Sequence, residues 1–134
     1  MQNLATVVGG VVLSAVVLSG CGGSGTTVTA TLKDLTLAVD KNSGKAGDFT
    51  FKADNKGALV HELVVFKTDV AFDKIPQKDG KADESTGTSA GEVDDVAPGK
   101  ADSKTFKLAA GKYVLLCNVP AHYAAGMAVA FTVQ

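Results

Sequence analysis

The sequence contains no arginine. Its basic residues are all lysine, and Lys+Arg 13 against Asp+Glu 14 leaves a net charge of −1 at pH 7. A nucleic-acid surface needs a clustered basic face, and nothing in the chain supplies one, so that class of function is excluded. Histidine is nearly absent too, with only His61 and His122, and the two methionines include Met1. Chemistry that calls for many imidazoles or for methionine-rich motifs has no residues to draw on. Charged side chains are missing altogether from residues 1–20, and no internal repeat is evident. What is present is ample apolar material: 46% of the 134 residues are hydrophobic, enough for the core of one domain with appendages.

The uncharged amino terminus holds a mostly apolar run, 4–18, interrupted by Gly9, Gly10 and Ser14. It is too short and too glycine-rich for a comfortable spanning helix and suits the h-region of an export signal. No Lys or Arg precedes it, so either the α-amino group alone supplies the positive charge or the true start lies elsewhere. The run ends in Leu18-Ser19-Gly20-Cys21, which resembles the lipobox of bacterial lipoproteins. That resemblance implies cleavage before Cys21, a diacylglyceryl group on its thiol, and a flexible tether. The chain then divides into a signal peptide (1–20), a lipidated Cys21 with tether (21–27) and one domain (28–134). Two cysteines in an exported protein first suggest a disulfide. Cys21 falls outside the domain, however, and Cys117 falls in a loop with other metal-binding side chains, so lipidation is the expectation.

Within the domain, hydrophobic alternation marks short strands at 28–32, 35–39, 48–53, 59–66, 92–96, 103–108, 112–117 and 127–133. Leu35, Leu37 and Val39 share a face of the second. Turn clusters separate them, such as Asn42-Ser43-Gly44 and Asp54-Asn55-Lys56-Gly57. Seven or eight short strands with glycine-rich turns predict an all-β fold, an antiparallel Greek-key β-sandwich or barrel. The inward residues expected are Leu37, Val39, Phe49, Phe51, Leu63, Val65, Phe106, Leu108, Val114, Leu116, Val129 and Phe131. A one-residue slip of any strand would exchange its faces. From 68 to 91 the pattern weakens, and an insertion this long is either a functional loop or one holding a short helix.

The stretch Cys117-Asn118-Val119-Pro120-Ala121-His122-Tyr123-Ala124-Ala125-Gly126-Met127 offers a thiolate, an imidazole and a thioether between two strands. Such a loop can fold back so that all three converge on one metal ion, lacking only a second nitrogen. The one other histidine, His61, lies in a strand-like stretch. A His₂Cys set with a long axial Met describes a blue-copper electron-transfer centre, in which soft sulfur ligands suit Cu(I) and imidazole also suits Cu(II). Taken singly, His61 reads as a satisfied core histidine and Met127 as core filler.

His61 followed far downstream by C-x4-H-x4-M resembles the cupredoxin family, with the loop spacing of its azurin, auracyanin and rusticyanin-like members. The resemblance covers 28–134. It implies one copper ion with His61, Cys117, His122 and Met127 as ligands, His61 buried inside the sandwich end and His122 near solvent as the route for the electron. Outer hydrogen bonds orient the ligands and moderate the sulfur. Asn118 is expected to fix the loop through its side chain or to donate its backbone N–H toward the sulfur. In much of the family an Asn follows the first His, whereas here Glu62 does, and an ionised carboxylate only accepts hydrogen bonds. The residue at that position therefore does not supply the usual amide clamp. The loop around His122 is apolar: Val119, Pro120, Ala121, Tyr123 and Ala125, with Ala58 and Leu59, either form a small docking patch for transient partners or merely let the loop close over the metal. The acidic residues at 79–95 read as a solvated loop.

The function expected is that of a membrane-tethered one-electron carrier between a redox donor and acceptor outside the cytoplasm. It is exported, held by its lipid on a membrane facing the periplasm or cell exterior, and monomeric. It is not expected to be an enzyme, because multicopper oxidases and copper nitrite reductases need more histidines. The alternative is a protein that buffers copper or delivers it to an oxidase. A structural zinc site ranks last, since thioether is a poor zinc ligand.

Overall fold

A computed structural model describes residues 25–134; the stretch expected to be an export signal, and Cys21, lie outside the described residues. In chain order the strands are β1 (Thr26–Lys33), β2 (Thr36–Val39), β3 (Ser43–Gly44), β4 (Gly47–Asn55), β5 (His61–Lys67), β6 (Gln77–Lys78), β7 (Lys81–Ala82), β8 (Thr88–Val96), β9 (Ala101–Leu108), β10 (Gly111–Leu116) and β11 (Ala128–Val133), with one 3-10 turn at Glu84–Thr86. One sheet has the order β2-β1-β4-β9 and the other β3-β11-β10-β5-β8, while β6 and β7 pair only with each other. This is the expected β-sandwich. Its pairing is not wholly antiparallel, because β1 runs parallel to β4 from Thr26 opposite Phe49 to Leu32 opposite Asn55. Between β2 and β4 the chain crosses to the other sheet at β3, so it returns to the free side of β1 running the same way.

Alternation builds the core. Along β4, Phe49, Phe51 and Ala53 are buried. Phe49 and Phe51 each meet the edge of Phe131 from the opposite sheet, at 5.6 Å between ring centroids, a preferred aromatic geometry. Leu63, Val65, Val93, Tyr113, Leu115 and Cys117 complete the filling between the sheets. Where β8 bends at Gly91 (φ 143), an added Cβ would run into the Phe106 ring, so only glycine lets the strand lie this close.

Two expected core residues face the other way. Val114 and Leu116 belong to a second apolar cluster with Val64, Phe66, Ile75, Ala82, Tyr123 and Ala128, on the outer face of the β10/β5 sheet. The reason is that residues 68–87 fold back over that face as a flap, so β5 and β10 are buried on both sides. A strand buried on both faces reads as a continuous apolar run and carries no alternation from which to choose a face. Val39, Phe106 and Val129 sit half-buried at the core margin, and Leu35 lies in the turn before β2, exposed. The 68–91 insertion holds the β6/β7 hairpin and the 3-10 turn, and its end is already strand β8.

Candidate metal centre

Each of the four candidate ligands stands at the end of a strand or in the loop between two. His61 opens β5, Cys117 directly follows β10, Met127 directly precedes β11, and His122 lies in the connecting turn. The loop is drawn shut by Cys117 N–H donating to the Met127 carbonyl at 3.0 Å and Met127 N–H donating to the His122 carbonyl at 3.2 Å. Sandwich topology brings in His61, paired with Val96 of β8 at the same end.

The three strongest donors meet. His61 Nδ1 lies 3.2 Å from His122 Nδ1 and 3.7 Å from Cys117 Sγ, and His122 Nδ1 lies 3.3 Å from the same sulfur. A circle through three atoms so spaced has a radius of about 2 Å, the length of a first-row metal–ligand bond. His61, Cys117 and Met127 are fully buried and His122 is 7% exposed. The His61 ring has its Nε2 buried without a hydrogen-bond partner, so its only polar neighbours are on the Nδ1 side, toward the cluster.

Electrostatics favour a cation here. Burial pushes the Cys117 thiol above its ordinary range, opposed by hydrogen bonds from the backbone N–H groups of Glu62 and Val119. Burial, and then the proximity of His122, holds the His61 imidazole below its ordinary value. Desolvation thus favours the neutral thiol and the neutral His61 ring without a metal; a bound cation reverses the thiol's preference and ionises it.

Asn118 fixes the loop through its side chain, as one of the two expectations held, but against the flap. Its Oδ1 accepts the Ala82 N–H at 2.7 Å, and its Nδ2 donates to the Ala82 carbonyl at 3.1 Å and to Glu84 Oε1 at 2.8 Å. The backbone groups near the sulfur are those of Glu62 and Val119 instead. Glu62 follows His61, and the amide near the site comes from another position. Buried Asn55, ahead of His61, donates through Nδ2 to the carbonyls of Leu59 (2.7 Å) and Val96 (2.8 Å), while its Oδ1 accepts the Gly57 N–H at 2.9 Å. That last bond is an Asx turn, which Asn55-Lys56-Gly57 signals in the sequence; the two donor bonds, part-buried at Leu59 and buried at Val96, carry no such signal. Glu62 is half-buried, and burial raises its carboxyl, with Lys81 opposing.

Of the apolar patch, Pro120, Ala121 and Ala125 are exposed, as are Ala58 and Leu59. Val119 is half-buried and packs on the main core. Tyr123 does not belong to the patch. It is buried, its hydroxyl donating to the Phe72 carbonyl and accepting the Ile75 N–H, both at 2.9 Å, because the flap offers its ring an apolar pocket. Val60, 45% exposed, takes a place beside Leu59 that the strand pattern had hidden.

Fold and site together define a mononuclear metal protein, a β-sandwich with a His₂Cys set and a buried Met at one end, the donor chemistry of blue copper. Residues 26–134 match the family described as copper binding proteins, plastocyanin/azurin family, and the chain belongs to that family. Its cofactor is copper, in a type 1 site formed by His61, Cys117, His122 and Met127. The fold is similar to that of dithionite-reduced auracyanin from Roseiflexus castenholzii, with 28% identity over 84% of this chain and 99% of that one and a TM-score of 0.60. Auracyanin A, the blue copper protein of Chloroflexus aurantiacus, matches with 23% identity over 81% and 98% of the two chains and a TM-score of 0.59. Reduced rusticyanin matches with 22% identity over 83% and 81% and a TM-score of 0.58. A search of curated protein sequences finds no match.

Proposed function

We propose that this protein is a one-electron carrier, tethered by a lipid on Cys21 to a membrane and working between redox partners outside the cytoplasm, and that it has no enzymatic activity of its own. The observation that carries the reading is the convergence of three buried ligand atoms within 4.8 Å of one another. Ligands already gathered by the fold need little movement when the oxidation state changes, and little movement is what fast electron exchange requires. When bound, copper supplies the Cu(I)/Cu(II) couple. The protein's part is to exclude water and to hold both imidazoles by Nδ1, with the Glu62 and Val119 backbone near the sulfur. His122 is the ligand next to exposed Ala121, beneath the apolar rim of Pro120, Ala125 and Leu59, which suits brief contact with a partner.

The course of β1 supports the tether. The chain enters at Thr26 beside Phe49, and β1 reaches the metal end only at Leu32, beside Asn55. An anchor before Gly25 therefore attaches at the far pole and leaves the copper end free. The test of the carrier is to add Cu(II) to the purified protein and record its visible absorption and redox titration. An intense thiolate-to-copper band with reversible reduction is expected; a colourless protein holding Cu(I) tightly would mark a copper-handling protein instead. Mass spectrometry of membrane-extracted protein tests the anchor, which an unmodified Cys21 still joined to Gly20 would rule out.

A further inference from the structure

The three ligands of the metal loop share a feature that their own chemistry does not require. Each is followed directly by a residue buried outside the site: Asn118 after Cys117, Tyr123 after His122, Ala128 after Met127. Tyr123 and Ala128 pack in the second cluster with Ile75 and Ala82 of the flap, and Asn118 bonds to Ala82 and Glu84. Ligands thus point to one side of the loop and their neighbours to the other, into the flap.

A further tie reaches the loop between Cys117 and His122. Ala121 has φ 71, the left-handed region that a side chain disfavours, and its N–H donates to the Gly80 carbonyl at 2.7 Å. Gly80 lies at the tip of the β6/β7 hairpin, where Asp79 (φ 53) and Gly80 (φ 77) form the two-residue turn with both φ positive that Asp-Gly favours. The hairpin is stiff by its own sequence and presents a fixed acceptor to a backbone that would otherwise relax.

We propose that the 68–87 flap is the device that holds the ligand loop in its metal-ready shape whether or not copper is bound, with Tyr123 and Asn118 as the positioning residues through which it acts. Bonds inside the loop, from Ala125 N–H to the Ala121 and His122 carbonyls and from Gly126 N–H to the Tyr123 carbonyl, make a local turn. They do not set where that turn sits over the sandwich. The flap does, through six hydrogen bonds: one at Ala121, three at Asn118 and two at Tyr123. This inference rests on the copper site, and its first readout needs no copper.

The experiment compares the full-length protein with Tyr123→Phe, which keeps the ring and removes the hydroxyl. In metal-free protein, amide hydrogen exchange at Ala125 and Met127 is expected to speed up at least tenfold while the amides of β4 and β9 keep their rates. In copper-loaded protein, copper release to a chelator is expected to speed up at least tenfold, and the thiolate–copper absorption and electron paramagnetic resonance signature to shift. Loop exchange and copper release within twofold of the parent, even as the Ile75 amide opens, would overturn the proposal. Glu84→Ala, at a half-buried turn position, frees only one bond of Asn118 and guards against a Tyr123 variant that does not fold. A change about threefold in the same direction is expected, and unchanged loop exchange there would equally overturn it.

Discussion

Cys117 is a buried thiol whose proton must leave when copper binds. Burial raises it above its ordinary value of 9.0, so at neutral pH the metal-free protein holds the proton. Copper uptake is then expected to release about one proton per ion, and copper affinity to rise about tenfold per pH unit below that value, as a pH series of titrations in a non-coordinating buffer will show. No proton release at pH 7 would contradict the burial argument. Met127 acts differently: replacing the weak axial donor with an apolar side chain lowers the coordination number and makes the pocket more apolar, which favours the less charged Cu(I), so Met127→Leu should keep the thiolate band and raise the reduction potential, measured by voltammetry. Asn55 is the residue whose loss should cost most outside the ligands. Its amide satisfies buried carbonyls at Leu59 and Val96, and Asn55→Ala is expected to destabilise the fold by about 2–3 kcal/mol. Chemical denaturation checks this, and a change under about 0.5 kcal/mol would show that the clamp carries no energy.

The sheet elements differ in how their edges are finished. β2 is the edge strand of its sheet, and its end is tied back to β1 by Asp40, whose Oδ1 accepts the Thr29 N–H at 2.7 Å while Oδ2 pairs with Lys41 Nζ at 3.0 Å. The Lys41 side chain and then the Thr29 N–H hold this carboxyl below its ordinary value of 3.8. A depressed carboxyl contributes stability that is present above the ordinary value and is lost as pH falls through the folded one. The Asp40 carboxyl should therefore titrate below 3.8 by nuclear magnetic resonance, and protection of the Thr29 amide should fall as it titrates. Protection independent of pH through that window would show that the β1–β2 backbone bonds alone hold the edge. β5 and β10 make the opposite case. Covered on both faces, they depend on the flap, and Phe66 and Leu116 are the side chains that its removal would bare.

At the scale of the whole molecule the protein is a sandwich with its chemistry at one end and its chain entry at the other. Because only the folded chain brings the four ligands together, copper at a hundredfold excess over its dissociation constant should add about 2.7 kcal/mol to the stability of the folded state. Thermal unfolding with and without copper reads this as a higher midpoint, whereas an equal midpoint would mean that copper does not bind the folded state in preference to the unfolded chain. Much of this was written in the chain. The eight longer strands follow from alternation and turn residues, and the site residues from a thiol, an imidazole and a thioether spaced between two strands, because ligand chemistry depends on residue type and short-range spacing. Three things waited for the folded molecule: which face of Tyr113–Leu116 looks inward, where Tyr123 points, and that Asn55 rather than a neighbour of His61 clamps the loop. Each depends on residues distant in the chain, chiefly 68–87 laid across a sheet face. A run apolar on both sides, or an amide in a turn, has no partner until tertiary packing supplies one.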